Sequence, residues 1–175
     1  MKKILISLIA LAVLIVGIYL YNYYRINYPV QTELNNDPRN SGINITTHYE
    51  NYIEPNTLIL DLKEFSGDKS KMDIFRTLLQ TAYALKDDDF KSVNLQYQGK
   101  DKFIIPGNYF KELGKGYNDE NQMYTIRTFP ENILDLNGNK AYESVEGGFL
   151  GVLNAQMDNF NDFSKKWYAS SYENN

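Results

Sequence analysis

The sequence predicts an α+β fold, in which a single N-terminal transmembrane helix precedes one domain with a mainly antiparallel sheet covered by two longer helices and one short helix. Two observations lead to this prediction. Residues 4–21 form an uncharged apolar run. After residue 56, two kinds of segment alternate: in some, apolar residues recur at every second position, and in others they recur every three or four residues. Strands that pair locally, with helices over one face of their sheet, are typical of α+β domains.

The apolar run, ILISLIALAVLIVGIYLY, has 18 residues. As a helix it would be about 27 Å long, close to the hydrocarbon thickness of a bilayer. The apolar core of a cleaved signal peptide is shorter, about 7–15 residues, and ends at two small residues separated by one position. Ala10 and Ala12 form such a pair, but they lie in the middle of the run. We therefore predict an uncleaved anchor, and a buried core helix is the alternative.

The residues that flank the run predict its orientation. Lys2 and Lys3 precede it, which favours a cytoplasmic N-terminus and an extracytoplasmic domain, and Arg25 on the other side opposes this weakly. The tyrosines that follow the run suit the aromatic belt of a membrane interface. Residues 1–28 are expected to form a short cytoplasmic tail and a single-pass anchor that contacts the bilayer through residues 4–21.

Residues 29–56 are predicted to be a polar tether, because they are rich in Asn, Pro, Gly, Ser and Thr and have no clear hydrophobic period. Within this segment, residues 43–52 could lie along the domain as an edge segment. His48, the single histidine, falls in the predicted tether. A tether would not hold it in catalytic geometry, which argues against mechanisms that need a histidine base.

The extracytoplasmic domain is predicted to span residues 57–175. It begins with a buried strand, TLILDL, and continues with a helix that starts at a capping box formed by Ser70 and Asp73. Two strands and a short helix follow, in SVNLQYQ, FIIP and GNYFKELGKGY.

The last third of the domain is predicted to contain a strand, a hairpin and a long helix. The strand is QMYTIRTF, and the hairpin lies in ILDLNGNKAYESV with its turn at Asn137–Gly138. Apolar residues at three- and four-residue spacing from Phe149 to Trp167 predict the helix.

The charge balance limits the classes of partner. All acidic residues follow the anchor, so the chain outside it carries 15 basic and 22 acidic residues, a net charge of −7. Such a surface repels nucleic acid, and no run of Lys and Arg offers a basic patch. The chain has no cysteine, which excludes disulfides, thiolate catalysis and cysteine-bound metals.

Arg127 and Glu131 are the first candidates for ligand binding. On a strand, Arg127 would share a face with Met123 and Phe129, lay its aliphatic stem on them and pair with an acid such as Glu131. The alternative is that its planar guanidinium grips a carboxylate or phosphate of a ligand.

Gly147 and Gly148 are the second candidates, because a backbone nest before the last helix would attract anions. The carboxylate of Glu146 beside them would repel an anion. Glycines at such positions are also common in tight turns that bind nothing. The segment from Asp135 to Glu146 matches part of a calcium-binding loop but lacks the glycine at its sixth position. We therefore predict a hairpin there, with neither a metal nor a cofactor.

These observations predict a non-enzymatic binding or accessory module of the bacterial cell envelope, which binds a protein partner as an accessory subunit or an immunity-type protein would. The lack of a catalytic constellation and the tyrosine-rich composition favour it. The alternative is an envelope hydrolase that uses two carboxylates on glycan or peptidoglycan. The acids available for such a pair are Asp61, Glu64, Glu131 and Glu146.

Overall fold

The structure is a computed structural model that describes residues 2–118 and 121–169. The outer limits of the predicted domains, residues 1 and 175, lie outside this part of the chain. The elements are α1 (Lys2–Asn22), a π-helical turn (Tyr23–Asn27), α2 (Tyr28–Asn35), a 3₁₀ turn (Pro38–Asn40), β1 (Ile43–Glu50), β2 (Glu54–Phe65), α3 (Lys71–Ala84), β3 (Ser92–Tyr97), β4 (Lys100–Pro106), α4 (Gly107–Gly116), α5 (Gln122–Thr128), a second 3₁₀ turn (Phe129–Asn132) and α6 (Phe149–Trp167).

The N-terminal helix runs without interruption through α1, the π-helical turn and α2, a length of 34 residues. It is long and apolar enough to cross a membrane, and none of its most apolar 18-residue window is buried in the protein. A core helix would show the opposite burial, so the alternative of a buried core helix is wrong. Among the described residues it is the one helix that combines this length and composition, and both properties suit a membrane anchor.

The prediction of a polar tether at residues 29–56 is wrong, because most of this segment is folded into α2, β1 and the start of β2. Ile26, Val30 and Leu34 recur every fourth residue and are 0%, 0% and 5% exposed. These three apolar residues stand singly among polar ones, yet a helix gathers them into one stripe that packs into the core. β1 lies at the sheet edge, which confirms the edge segment expected there.

The four strands form one mixed sheet in the order β1-β2-β3-β4. The β1–β2 and β3–β4 pairs are antiparallel, as expected, but β2 and β3 are parallel. A parallel pair needs a crossover, which α3 supplies. Alternate residues of β1, β3 and β4 are buried on one face, and the residues between them are mostly half-exposed. The sheet therefore has one covered face and one more open face.

The helices that cover the sheet confirm the strongest sequence signals. α3 begins at the predicted capping box, in which the Ser70 hydroxyl accepts from the Asp73 N–H at 3.2 Å and the Asp73 carboxylate accepts from the Ser70 N–H at 3.0 Å. α6 has the predicted bounds. The Phe75 ring of α3 meets the Phe160 ring of α6 edge to face, with centroids 5.2 Å apart. Aromatic packing of this kind joins the two helices into one core.

The segment QMYTIRTF forms the helix α5, so the prediction of a strand is wrong. Asn121 caps the helix, since its side-chain oxygen accepts from the Met123 N–H at 3.0 Å. Ile126 and Phe129 are buried at a three-residue spacing that suits a helix. The β-branched and aromatic residues favour a strand locally, but packing against α6 outweighs that weak preference.

The predicted hairpin in ILDLNGNKAYESV is present as a short loop and not as two full strands. Leu134 bridges Ile104 of β4 on one side and Lys140 on the other. Gly138 turns the chain with φ of +84°, as the Asn-Gly pair predicts. The loop therefore extends the β4 edge of the sheet by a single bridge.

Candidate functional site

Asn22 is the side chain through which the N-terminal helix holds the end of the sheet. It is the last residue of α1 and only 1% exposed. Its Nδ2 donates to the carbonyl oxygens of Tyr52 at 2.7 Å and Ile18 at 3.0 Å, and its Oδ1 accepts from the Tyr49 N–H at 2.9 Å. Both amide donors and the amide oxygen are therefore paired, which satisfies this buried polar group.

Asn27 and Gln31 make the same type of attachment further along β1. The Asn27 Oδ1 accepts from the Thr47 N–H at 3.0 Å, and the Gln31 Nε2 donates to the Ile45 carbonyl oxygen at 2.6 Å. With Asn22, these side chains reach the free edge of β1 at every second residue. An uncovered edge strand can pair with a strand of another chain, and the helix protects β1 from such pairing. The same attachments fix the domain along the axis of the helix.

The π-helical turn between α1 and α2 allows these attachments to share one side of the helix. Asn22 and Asn27 are five residues apart, and in a regular α-helix they would face directions about 140° apart. A π-turn accommodates one additional residue per turn. Asn22 and Asn27 can therefore both reach β1, and such local insertions are frequent at functional positions in helices.

His48 lies at a cavity of about 190 Å³ between the helix and β1. Its ring stacks on Tyr52 with centroids 4.3 Å apart, and the ring of Tyr19 lies 6.4 Å from that of Tyr52. The assignment of His48 to a tether is therefore wrong, because β1 and this aromatic stack hold its ring. Lys63 also lines the cavity. The resulting site combines aromatic faces, amide groups and the Lys63 ammonium beside the N-terminal helix.

Asp61, one of the acids suggested for a hydrolase pair, has a structural role. It is 1% exposed, forms an ion pair with Lys63 and accepts from the Gly99 N–H at 3.0 Å. Gly99 lies in the β3–β4 turn with φ of +77°. Asp61 therefore fixes this turn. Glu64 and Glu146, two further acids of that set, are exposed.

A second cavity, of about 290 Å³, lies between α4 and α5. Glu112 of α4 and Glu131, which follows α5, both line it. The Oε1 of Glu131 accepts from the Nε2 of Gln156 at 2.9 Å. Sequence analysis missed Glu112, because no spacing relates it to Glu131. The other residues around this cleft are Tyr109, Leu113, Tyr124, Thr125, Thr128 and Asn132.

Arg127 does not have the surroundings that a strand would give it. On α5 its Nε donates to the Met123 carbonyl oxygen at 3.1 Å, one helical turn earlier. Phe129, expected on its face, is fully buried in the core. Arg127 thus contacts its own helix, whereas Glu131 contacts α6 through Gln156.

Gly147 and Gly148 lie directly before α6, as predicted. Gly147 has φ of +142°, a conformation that favours glycine, and the Gly148 carbonyl oxygen accepts from the Val152 N–H at 3.0 Å. Both glycines are exposed, and the next residues, Phe149 and Leu150, are 78% and 72% exposed. The position therefore presents two large apolar side chains at the start of a helix, which the sequence analysis did not single out.

The acid that begins the partial calcium-loop pattern, Asp135, is used by the turn itself. Its Oδ1 accepts from the N–H groups of Asn139 and Asn137, both at 2.9 Å. These backbone donors hold the pKa of Asp135 below its usual value. Over residues 2–118 and 121–169, no three His, Asp or Glu side chains gather as a metal site would require.

The chain matches no protein-family model, no curated protein and no solved structure. Its function therefore has to be inferred from its own residues.

Proposed function

We propose that this protein is a membrane-anchored, extracytoplasmic module of the bacterial cell envelope that binds a protein partner and does not catalyse a reaction. One observation carries the proposal: an apolar helix long enough to cross a membrane continues without a break into the folded domain. The buried amide of Asn22 attaches it to β1. A domain held in this way has a fixed height and orientation at the membrane, which suits an accessory subunit better than a freely moving enzyme.

The proposed orientation places the N-terminus in the cytoplasm, because Lys2 and Lys3 precede the apolar run. The domain then faces the periplasm or the outside of the cell. Its net charge of −7 outside the anchor is unsuited to nucleic acid.

The surface that we propose for the partner is the N-terminal end of α6. Phe149 and Leu150 expose most of their side chains there. Aromatic and aliphatic residues that protrude in this way are typical anchors of protein interfaces. Gly147 and Gly148 let the chain enter the helix with no side chain of their own near the surface, so a partner could approach the backbone closely.

A pull-down of the full chain from detergent-solubilised membranes tests this proposal. We expect the wild type to retain a specific partner and the double variant F149A/L150A to lose it, with thermal unfolding unchanged because both side chains are exposed. The matched control is Leu136→Ala, which removes an equally apolar, 54% exposed side chain from another surface. A partner that F149A/L150A retains would exclude this surface, and no specific partner at all would contradict the binding function.

Topology is tested separately by a reporter fusion. Alkaline phosphatase joined to the C-terminus is active only outside the cytoplasm, so we expect activity and retention in the membrane pellet at high pH. An inactive fusion, or a soluble product shortened at the N-terminus, would contradict the proposed anchor and its orientation.

A carboxylate-dependent hydrolase for glycan or peptidoglycan is the second candidate, and the cleft shared by Glu112 and Glu131 favours it. Two carboxyl groups across one cleft are the arrangement that glycoside hydrolysis uses. Incubation of the purified chain with peptidoglycan should then release soluble fragments, and Glu112→Gln or Glu131→Gln should abolish the release. Glu143→Gln is the control, since Glu143 is exposed and outside the cleft lining. No release by the wild type would exclude this function.

A further inference from the structure

The β1–β2 hairpin reaches down beside the part of α1 that is expected in the membrane. An apolar groove of about 550 Å³ separates the two. On the helix it is lined by residues from Val13 to Tyr21, and on the hairpin by Tyr52, Ile53 and Pro55, together with Tyr49. Val13 and Gly17 precede Asn22 by nine and five residues. At the helical rise they lie about 8–14 Å below Asn22, toward the bilayer centre. The hairpin tip is therefore level with apolar residues of the anchor.

Two of the three exposed side chains of the tip, Tyr52 and Ile53, are suited to lipid, whereas Asn51 is polar. Ile53 is 65% exposed and Tyr52 is 41% exposed, although both lie on a tight turn where polar residues are usual. Tyr52 also has φ of +63°, a left-handed conformation that is unfavourable for a bulky residue. The clamp from Asn22 and the stacking on His48 hold it there. The protein thus sustains local strain to present an aromatic ring beside the anchor.

The backbone of the tip is largely paired within the protein, which insertion into an apolar phase requires. The N–H of Tyr52 donates to the Tyr49 carbonyl oxygen at 2.8 Å, and the N–H of Ile53 donates to the Glu50 carbonyl oxygen at 3.1 Å. The Tyr52 carbonyl oxygen accepts from Asn22. Glu50 and Glu54, which are partners in the hairpin register, carry charges that set the upper limit of insertion.

We infer that the tip of this hairpin, residues 51–53, inserts into the outer leaflet of the membrane that α1 crosses. The contact makes the domain a two-point membrane protein, in which the groove beside Gly17 accommodates lipid acyl chains. The occupant is lipid because the groove is continuous with the lipid-facing surface of the anchor. The inference rests on the proposed anchoring of α1. A second contact would limit the tilt and rotation of the helix and the domain together in the membrane, so that α6 faces a partner in one direction.

The test uses the absence of cysteine from the chain, so that one introduced thiol is unique. Three full-length variants are compared in phosphatidylcholine vesicles. Ile53→Cys reports on the tip, and Leu14→Cys reports on the anchor itself. Asp68→Cys is the water-exposed reference, since Asp68 lies beyond the opposite end of β2 with its side chain 73% exposed. The rate of reaction with a water-soluble maleimide, present on both sides of the vesicles, is measured for each variant, together with its thermal unfolding.

We expect Ile53→Cys and Leu14→Cys to react roughly ten-fold more slowly than Asp68→Cys, because burial of such side chains in an apolar phase is favourable by at least that factor. A fluorophore attached to the thiol of the Ile53→Cys variant should also be quenched by lipids that carry a nitroxide on their acyl chains.

If Leu14→Cys is protected but Ile53→Cys reacts as fast as Asp68→Cys, the tip lies in water and the inference is overturned while the anchor stands. If Leu14→Cys also reacts as fast as Asp68→Cys, both the proposed anchoring of α1 and the insertion of the tip are overturned. Protection of Ile53→Cys that disappears at a high lipid-to-protein ratio would indicate contact between copies of the chain, and would overturn the lipid contact.

Discussion

The Oδ1 of Asn22 accepts a hydrogen bond from the backbone N–H of Tyr49 at 2.9 Å, so the last residue of α1 is fixed to the end of an edge strand. The two residues are 27 positions apart, and this buried amide joins the end of the helix to the end of the sheet. Because the same amide also holds Tyr52, it fixes the hairpin as well as the strand. The domain is thus rigidly attached to its N-terminal helix and is not joined to it by a flexible linker.

Substitution of Asn22 should destabilise the domain more than its size suggests. Asn22→Ala leaves the Tyr49 N–H and the Tyr52 carbonyl oxygen without their partner, and a buried unpaired group costs about 1–3 kcal/mol. We expect the free energy of unfolding, measured in detergent micelles, to fall by at least about 1 kcal/mol. Asn35→Ala, at an exposed position near the end of α2, is the control and should change it little. Equal effects of the two variants would contradict the role of the Asn22 hydrogen bonds with Tyr49 and Tyr52.

Deletion of Tyr24 tests the π-helical turn. Tyr24 is 65% exposed, so little packing is lost with its side chain. The shortened segment should become a regular α-helix, in which Asn22 and Asn27 are four residues apart and face directions only about 40° apart. The attachments to β1 are then kept, and we expect the free energy of unfolding and hydrogen exchange in β1 to stay close to those of the wild type. Tyr24→Ala keeps the turn and is the control for the loss of the side chain. Faster exchange in β1 after the deletion than in Tyr24→Ala would show that the attachments need the π-helical turn itself.

Two glycines in helices should respond oppositely to alanine. A Cβ at Gly114 would lie 2.2 Å from the Ala82 carbonyl oxygen of α3, so Gly114→Ala must push α4 and α3 apart. We expect a loss of about 1–3 kcal/mol in the free energy of unfolding. Gly151 in α6 has no neighbouring atom within 4 Å, and Gly151→Ala should stabilise the protein by about 0.5–1 kcal/mol through helix propensity. Denaturant unfolding measures the change in free energy for each variant. If both variants are stabilised, or both are destabilised, the prediction is wrong.

The capping box of α3 should make stability depend on acid. The hydroxyl and N–H of Ser70 bind the Asp73 carboxylate and lower its pKa from 3.8 to about 2. A depressed pKa means that the stabilisation is present above pH 3.8 and is lost as the pH falls toward 2. The free energy of unfolding of Asp73→Asn should therefore be about 1 kcal/mol lower than that of the wild type at pH 5 and nearly equal to it at pH 2, as measured by denaturant unfolding at both pH values. Asp37 also has a lowered pKa, because of its hydrogen bonds with Arg39, and it shares the Arg76 guanidinium with Asp73. A constant difference across this range would contradict the assignment.

Several elements could be predicted because their signals are local. The apolar run of residues 4–21 predicts a membrane-compatible helix whatever it packs against, since length and hydropathy decide it. The Ser70 capping box and the apolar spacing of α6 are likewise properties of single segments. Gly138 marks its turn because few other residues adopt a positive φ.

The tertiary structure alone decided the remaining features. QMYTIRTF has strand-forming residues but becomes α5, because its Ile126 is buried within a helix that packs against α6. Glu112 of α4 and Glu131 of the second 3₁₀ turn line one cleft, which no spacing along the chain reveals. Asn22, Asn27 and Gln31 resemble polar surface or tether residues in the sequence, since nothing nearby in the chain supplies their partners on β1.

The sequence by itself determined that an apolar helix leads into an α+β domain, because helix period, capping and hydrophobic length act over a few turns of chain. Whether the domain is loosely tethered to that helix or rigidly attached to it was decided by side chains 14–30 positions from their partners. Such contacts form only when the whole fold brings the side chain and its backbone partner together. They then persist because an unpaired buried amide would cost free energy. The rigid attachment of this domain to its N-terminal helix is a property of the folded molecule.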